Sequence, residues 1–238
     1  MSHFSREICF NHGYLILRSP RGISGVSVHN SGGTTLKDIG TLGGWWSRAY
    51  DINDRGQIVG DSTNITGYVH AFLYGGSAMN DLGTLGGSSS YAWGINNSGQ
   101  IVGMSTIAGD SAYHAFLYDG GNMIDIGTLG GTFATASAIN ERGQIVGTST
   151  VAGDYHAFLY DGGNMIDLNC LLPKGSGWEL TDASDINDLG QITGYGYING
   201  ATRGFVMPPE LSPVPEPSTL ALLGIGIAGI TFFKRMHK

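Results

Sequence analysis

Three histidines, His70, His114 and His156, each open the same five-residue string His-Ala-Phe-Leu-Tyr. Imidazoles set at one position of successive repeats could converge on a metal ion, because neutral imidazole is a common metal ligand. The fourth copy of the string, however, begins with Arg203. Repetition of the fold alone accounts for the three histidines, and hydrogen bonding to neighbouring backbone is their expected role, with no metal centre. Four aspartates recur in the same manner, Asp38, Asp81, Asp125 and Asp167. A ring of carboxylates would suit Ca²⁺, which prefers oxygen ligands. Capping of a turn is the plainer reading and the one expected here.

Aromatic residues in the connections between repeats, Trp45, Trp46, Tyr91, Phe133 and Trp178, could stack on sugar rings and are the candidate ligand contacts. Their positions shift from repeat to repeat, which suits packing equally well. The chain holds no Gly-x-Ser-x-Gly elbow, no zinc-type His-Glu pair and no phosphate-binding glycine loop leading into a helix. Gly224-Ile225-Gly226 lies inside an apolar run and carries no such meaning. Cys9 and Cys170 share no spacing pattern that would make a disulfide framework or a metal site. No catalytic residue and no cofactor are expected.

The elements that must position these side chains follow from a period. Gly56-Gln57-Ile58-Val59-Gly60 returns at Gly99, Gly143 and Gly190, with offsets of 43, 44 and 47 residues. Before it stand Asp51-Ile52-Asn53, Gly94-Ile95-Asn96, Ala138-Ile139-Asn140 and Asp185-Ile186-Asn187, and after it comes the His-Ala-Phe-Leu-Tyr string. The string that starts at Asp38, Asp81 and Asp125, and decays after Asp167 into Leu172-Pro173, closes each unit. A fixed period of this size marks a repeat architecture. Short apolar runs rich in Ile, Val, Phe and Tyr, separated by turn formers, are strand signals. Asn53-Asp54-Arg55-Gly56 and its three counterparts suit a hairpin turn in which Gly adopts a positive φ. Phe72 and Tyr74 share one face of the third run, with Ala71 and Leu73 on the other, so a strand covered on both sides is implied.

Four antiparallel strands in about 44 residues, stacked on like neighbours, is the plan of a propeller blade. The fold expected is therefore all-β, a propeller-like array of four four-stranded antiparallel units spanning 23–207. The last unit, 183–207, lacks a fourth segment, while 38–44 is such a segment without a complete unit before it. Joining the two would complete the last sheet and hide both edges. A closed ring of four is one expectation and an open arc that needs a partner is the other. The connections between second and third strands, residues 61–69, 104–113, 148–155 and 195–202, differ most in sequence and length, so ligand discrimination is expected there.

Composition agrees. Charged residues make up 13% of the chain and glycines number 40 of 238, few charges and many turn formers for a soluble domain. Three of the 12 basic residues lie in the last five positions, which leaves 9 against 19 acidic residues, about −10, elsewhere. Such a body repels phosphate backbones, so no nucleic-acid partner is expected.

The recurring His-Ala-Phe-Leu-Tyr, Asp-Leu-Gly-Thr-Leu-Gly-Gly and Ile-Asn-x-x-Gly-Gln-Ile-Val-Gly strings over residues 36–207 resemble the HAF family of bacterial extracellular repeats. That resemblance implies export but no activity. At the other end, Val214, Pro215, Glu216 and Pro217 precede an apolar run from Leu220 to Phe233, and the basic stop Lys234, Arg235 and Lys238 follows. This order resembles a PEP-CTERM sorting signal and implies an exosortase-type membrane processing enzyme as partner. The 16 uncharged residues of 218–233 approach the roughly 20 of a membrane-spanning helix, and basic residues after them keep the terminus cytoplasmic. A C-terminal transmembrane helix with a basic tail is thus expected at 218–238, after a Pro-rich linker at 208–217. Residues 1–22 are an unassigned segment, expected to be disordered. The one apolar stretch near the start, Gly13-Tyr14-Leu15-Ile16-Leu17, is too short for a signal-peptide core, so the start is expected to be truncated or misassigned.

These readings give an exported protein, held in the inner membrane before processing and then at the cell surface or in the matrix. Its expected role is structural or in binding, with exopolysaccharide or another surface protein as partner. The alternative is a glycan lyase or hydrolase on the same scaffold, which needs convergent carboxylates or histidines in one pocket.

Overall fold

The Asn-x-x-Gly turns set the architecture. In the second unit Gly99 takes φ +86, open to glycine at no steric cost, and its N–H donates to the Asn96 carbonyl at 3.0 Å. The Asn96 side chain closes the loop by accepting from the Gln100 N–H at 3.0 Å and donating to Gln100 Oε1 at 2.8 Å. Each turn delivers the chain into a second strand antiparallel to the first.

The computed structural model of the protein describes residues 28, 29 and 35–208. A two-stranded ribbon, β1 (Val28–His29) and β2 (Thr35–Leu36), leads in. The first unit comprises β3 (Gly43–Ile52), β4 (Ile58–Asn64), β5 (Val69–Tyr74) and β6 (Met79–Asp81). The second has β7 (Gly86–Ile95), β8 (Ile101–Ile107), β9 (Tyr113–Asp119) and β10 (Asn122–Gly127). In the third are β11 (Ala134–Ile139), β12 (Ile145–Val151), β13 (Asp154–Asp161) and β14 (Asn164–Asp167). The last holds β15 (Trp178–Ile186), β16 (Ile192–Ile198) and β17 (Ala201–Met207). Every sheet is an antiparallel meander with strands in chain order. The helical content of the described residues is two 3₁₀ turns, Ala108–Asp110 and Leu168–Leu171.

Units pack face against face because both faces of each second and third strand are apolar. Val59 and Ala71 of the first unit meet Ala92, Ile95, Ile101 and Phe116 of the second, with Leu82 filling the gap. The same set recurs between the second and third units as Val102, Ala115, Ala134, Ala136, Ile145 and Phe158 around Ile126. Between the third and last units it comprises Val146, Ala157, Leu180, Ala183, Ile186 and Ile192 around Leu168. Hydrogen bonds link the same neighbours: Asn53 Nδ2 donates to Asn96 O, Asn96 Nδ2 to Asn140 O and Asn140 Nδ2 to Asn187 O, each at 3.1 Å. The recurring Asn therefore shapes its own turn and ties it to the next.

Three expectations are corrected. The first strand is longer than the short segment read from sequence, ten residues in β3 and β7. Bulges at Ala49/Asp51, Ala92/Gly94, Ala136/Ala138 and Ala183/Asp185 shift the register within it and break the alternation that marks a strand. The fourth strand lies mainly before its aspartate, not after it: β6 and β14 end at Asp81 and Asp167, and β10 runs two residues past Asp125, to Gly127. Beyond the aspartate its side chain turns the chain and the following Leu or Ile drops between sheets. Finally, the last sheet has three strands, and Asp38–Gly44 adds none to it. That segment instead leads into β3, with Leu42 N–H donating to Ser62 Oγ at 2.9 Å.

The expected transmembrane helix and basic tail, the sorting motif, the linker beyond Pro208 and the segment 1–22 lie outside the described residues. Among the described residues no helix is long and apolar enough to cross a membrane.

Candidate ligand-binding cleft

The recurring histidines and aspartates turn out to be one feature. His70 Nδ1 lies 2.8 Å from Asp81 Oδ2, His114 Nδ1 2.8 Å from Asp125 Oδ2, and His156 Nδ1 2.7 Å from Asp167 Oδ2. Each pair ties the third strand of a unit to its fourth. The backbone partner expected for the histidines is replaced by a side-chain carboxylate, and the signal was present as the constant interval of 11 residues. The same carboxylates cap the turn that follows, accepting from Gly83 N–H at 2.8 Å, Gly127 N–H at 2.7 Å and Asn169 N–H at 2.9 Å. Asp38 accepts likewise from Gly40 N–H at 2.9 Å. Among the described residues no three His, Cys, Asp or Glu side chains converge to hold a metal.

The candidate aromatics do not gather into one place, and they lie on or beside first strands rather than in loops. Trp45 and Trp46 are edge to face within β3, their centroids 6.1 Å apart. Tyr91 stacks on Trp93 at 6.0 Å, and Trp93 meets Tyr50 at 4.6 Å. Trp178 packs on Phe205 at 6.4 Å, against the core between the third and last units. Arg48 runs beneath Trp46, 4.8 Å from its ring, and clasps the buried Asp61 through Nε at 3.1 Å and Nη2 at 2.7 Å. That hydrogen bond raises the guanidinium pKa further and compensates a carboxylate that would otherwise be costly to bury.

Of the five, Phe133 lines a cleft. Between the third and last units lies an open hollow of about 500 Å³. Phe133, Tyr155, Tyr195 and Tyr197 supply its aromatic faces, and Asp154, Glu179 and Asp182 its carboxylates. Phe133 meets Tyr155 edge to face at 5.9 Å, while Tyr155 remains 54% exposed. Asp182 is fixed by Thr148 Oγ1, which donates to Oδ2 at 2.8 Å, and by Ser184 Oγ, which donates to Oδ1 at 2.5 Å. The negative charge of Asp182 pushes the Tyr195 phenol pKa up, so Tyr195 remains a neutral donor at ordinary pH. Neither lysine nor arginine lines the hollow.

Of the four connections expected to discriminate among ligands, 148–155 and 195–202 supply Gly153, Asp154, Tyr155, Tyr195 and Tyr197 to the cleft, while 61–69 and 104–113 supply none of its lining. The expectation had not named the tyrosines. Their signal lay in departures from the repeat, since Tyr195 and Tyr197 stand where the third unit has Thr148 and Thr150.

Meandering antiparallel sheets packed face to face, with first strands adjacent through β3, β7, β11 and β15, define a propeller-like β-array. The fold is similar to a solved structure from Agrobacterium tumefaciens assigned as TolB, with a TM-score of 0.53 and 13% identity over 74% of this chain. At that identity the likeness is one of fold, a TolB-like β-propeller, and this chain spans 66% of that chain's length. Residues 213–235 match the PEP-CTERM protein-sorting motif, a signal recognised by exosortase. The motif implies export, processing at the membrane and a surface or extracellular destination. No curated protein matches the chain in sequence.

Proposed function

We propose that this chain is an exported cell-surface or matrix protein built of HAF-type repeats, released from the inner membrane by exosortase and binding saccharide through the cleft between its third and last units. The observation that carries this reading is the sorting motif at 213–235, immediately beyond an array whose last strand ends at Met207. The cleft fits a sugar chain because aromatic faces stack on the C–H faces of pyranose rings while carboxylates accept from hydroxyls. With three carboxylates and no cation along its walls, the cleft favours a neutral or amino-bearing exopolysaccharide over one rich in uronic acids.

Two experiments test the reading. Replacing Pro215, Glu216 and Pro217 by alanine is expected to leave the chain at full mass in the membrane fraction of an exosortase-bearing host, while the parent chain is trimmed. Equal trimming of both would remove the sorting half of the proposal. In the second, the purified full chain in mild detergent is mixed with exopolysaccharide from the host and with chitosan and alginate as probes. The parent chain is expected to sediment with the host polymer and chitosan. Tyr155→Ala should weaken that binding about tenfold, roughly 1.4 kcal/mol. Tighter binding to alginate, or unchanged binding by Tyr155→Ala, would refute the cleft. A second reading, a glycan lyase or hydrolase, is favoured by the gathering of Asp154, Glu179 and Asp182 in one hollow. Its mark in the same mixtures is new reducing ends.

A further inference from the structure

The two ends of the array are unfinished in complementary ways. In the interior of the array the face carrying the Val of the second strand is covered by the next unit: Val59, Val102 and Val146 are all fully buried. On the last unit the same face carries Thr193, Tyr195, Tyr197 and Val206, all exposed, with Val206 at 71%. The opposite face is covered in the later units, where Ile95 and Ile186 are 7% and 5% exposed and Ala92, Ala136 and Ala183 are buried. Their counterparts in the first unit, Ile52 at 61% and Ala49, are exposed.

Hydrogen bonding stops at the same two places. Asn53, Asn96 and Asn140 each send Nδ2 to the next unit, whereas Asn187 Nδ2 donates within its own turn, to Gln191 Oε1 at 2.8 Å. A second rung runs beside the first: Asp54 N–H donates to Asn97 Oδ1, Asn97 N–H to Glu141 Oε1, and Glu141 N–H to Asp188 Oδ1. The Asp188 N–H ends the series. Among the described residues the apolar clusters join adjacent units and none joins the last to the first. Residue 37 does not cover the first unit's inner edge either. Lys37 lies over the Tyr74 ring at 5.2 Å and donates to Gly76 O at 2.8 Å, and Ile52 remains exposed.

From this we infer that the exposed face of the last unit receives the first unit of a second copy of this chain, head to tail. The occupant is chosen by continuity with interfaces already formed three times in the array. Asn187 Nδ2 then reaches Asn53 O of the second copy, the Asp188 N–H reaches its Asp54 carboxylate, and Val206 and Thr193 cover its Ile52 and Ala49. Such a contact is heterologous, so each copy presents one acceptor end and one donor end. The inference shares Tyr195 and Tyr197 with the saccharide cleft but does not rest on that reading: it is read out by association of the chain, and its two variants, at Val206 and Ile52, lie outside the cleft lining.

The test uses the full chain in mild detergent, by light scattering and sedimentation. The parent chain is expected to associate as its concentration rises. Val206→Asp and Ile52→Asp, each a charge placed at one end, should each weaken association about tenfold or more. Their thermal midpoints should match the parent's under monomeric conditions, because both sites are exposed in the single chain. Mixed in equal amounts, the two variants retain one intact pair of ends between them and should stop at a one-to-one dimer. A parent chain that stays monomeric at every concentration overturns the inference. So does a mixture that fails to pair, and so does a lowered midpoint in either monomeric variant, which would mean that the ends close on each other within one chain.

Discussion

Replacing Phe116 by alanine is expected to lower the unfolding free energy by about 3–5 kcal/mol, the usual cost of emptying a fully buried aromatic site. Phe116 is 0% exposed. It stands opposite Gly103 on β8 and Asp125 on β10, and its side chain joins the cluster that glues the first unit to the second. Loss of the ring therefore weakens both the sheet that carries it and the junction to the previous sheet. Phe205, the counterpart in the last unit, is only half-buried, so Phe205→Ala should cost distinctly less. Urea titration of both variants with the parent checks this, and equal losses would mean that burial at the junction is not what Phe116 supplies.

Gly103→Ala is expected to cost about 3 kcal/mol or more, at the upper end of what overpacking does. A methyl group at Gly103 would run into the carbonyl oxygen of Tyr91, which the bulge at Ala92/Gly94 brings across the strand pair. Backbone on one side and the Phe116-bearing strand on the other leave it nowhere to move. Gly99→Ala, in the same motif, fails for a different reason: nothing but the Gln57 side chain lies near, yet φ is +86, so strain of order 1–3 kcal/mol is expected. Thermal melts that rank Gly99→Ala below Gly103→Ala would contradict the close-approach account.

Those two glycines explain why much of the fold was legible. Gly-Gln-Ile-Val-Gly reads as a turn glycine, two core residues facing opposite ways and a glycine under a bulge, and each demand is local enough to print itself on sequence at every repeat. The third strand was equally legible, since His-Ala-Phe-Leu-Tyr carries apolar residues on both faces. First strands were read short, because the extra residue at each bulge flips the alternation just where Trp46, Tyr91 or Thr135 would have extended it. The fourth strand was misplaced for another reason. Its strongest residues, Asp81 and Leu82, are the strand's last residue and the inter-sheet plug, while Met79 and Asn80 before them carry little pattern of their own. The cleft was nearly illegible: Tyr155 and Tyr195 are 40 residues apart, and only the packing of two units makes them neighbours.

The His–Asp pairs bear on how an exported β-protein avoids edge-to-edge pairing of its sheets. A sheet rim invites pairing with other chains in proportion to the run of open backbone it presents. Here β6 and β14 are three and four residues long, and the strand then turns away at a charged carboxylate held by an imidazole. The outer strand of the first and third units is thus a brief stub ending in a carboxylate, a poor template for amyloid-like growth, whereas β10 of the second unit runs six residues, through Asp125 to Gly127.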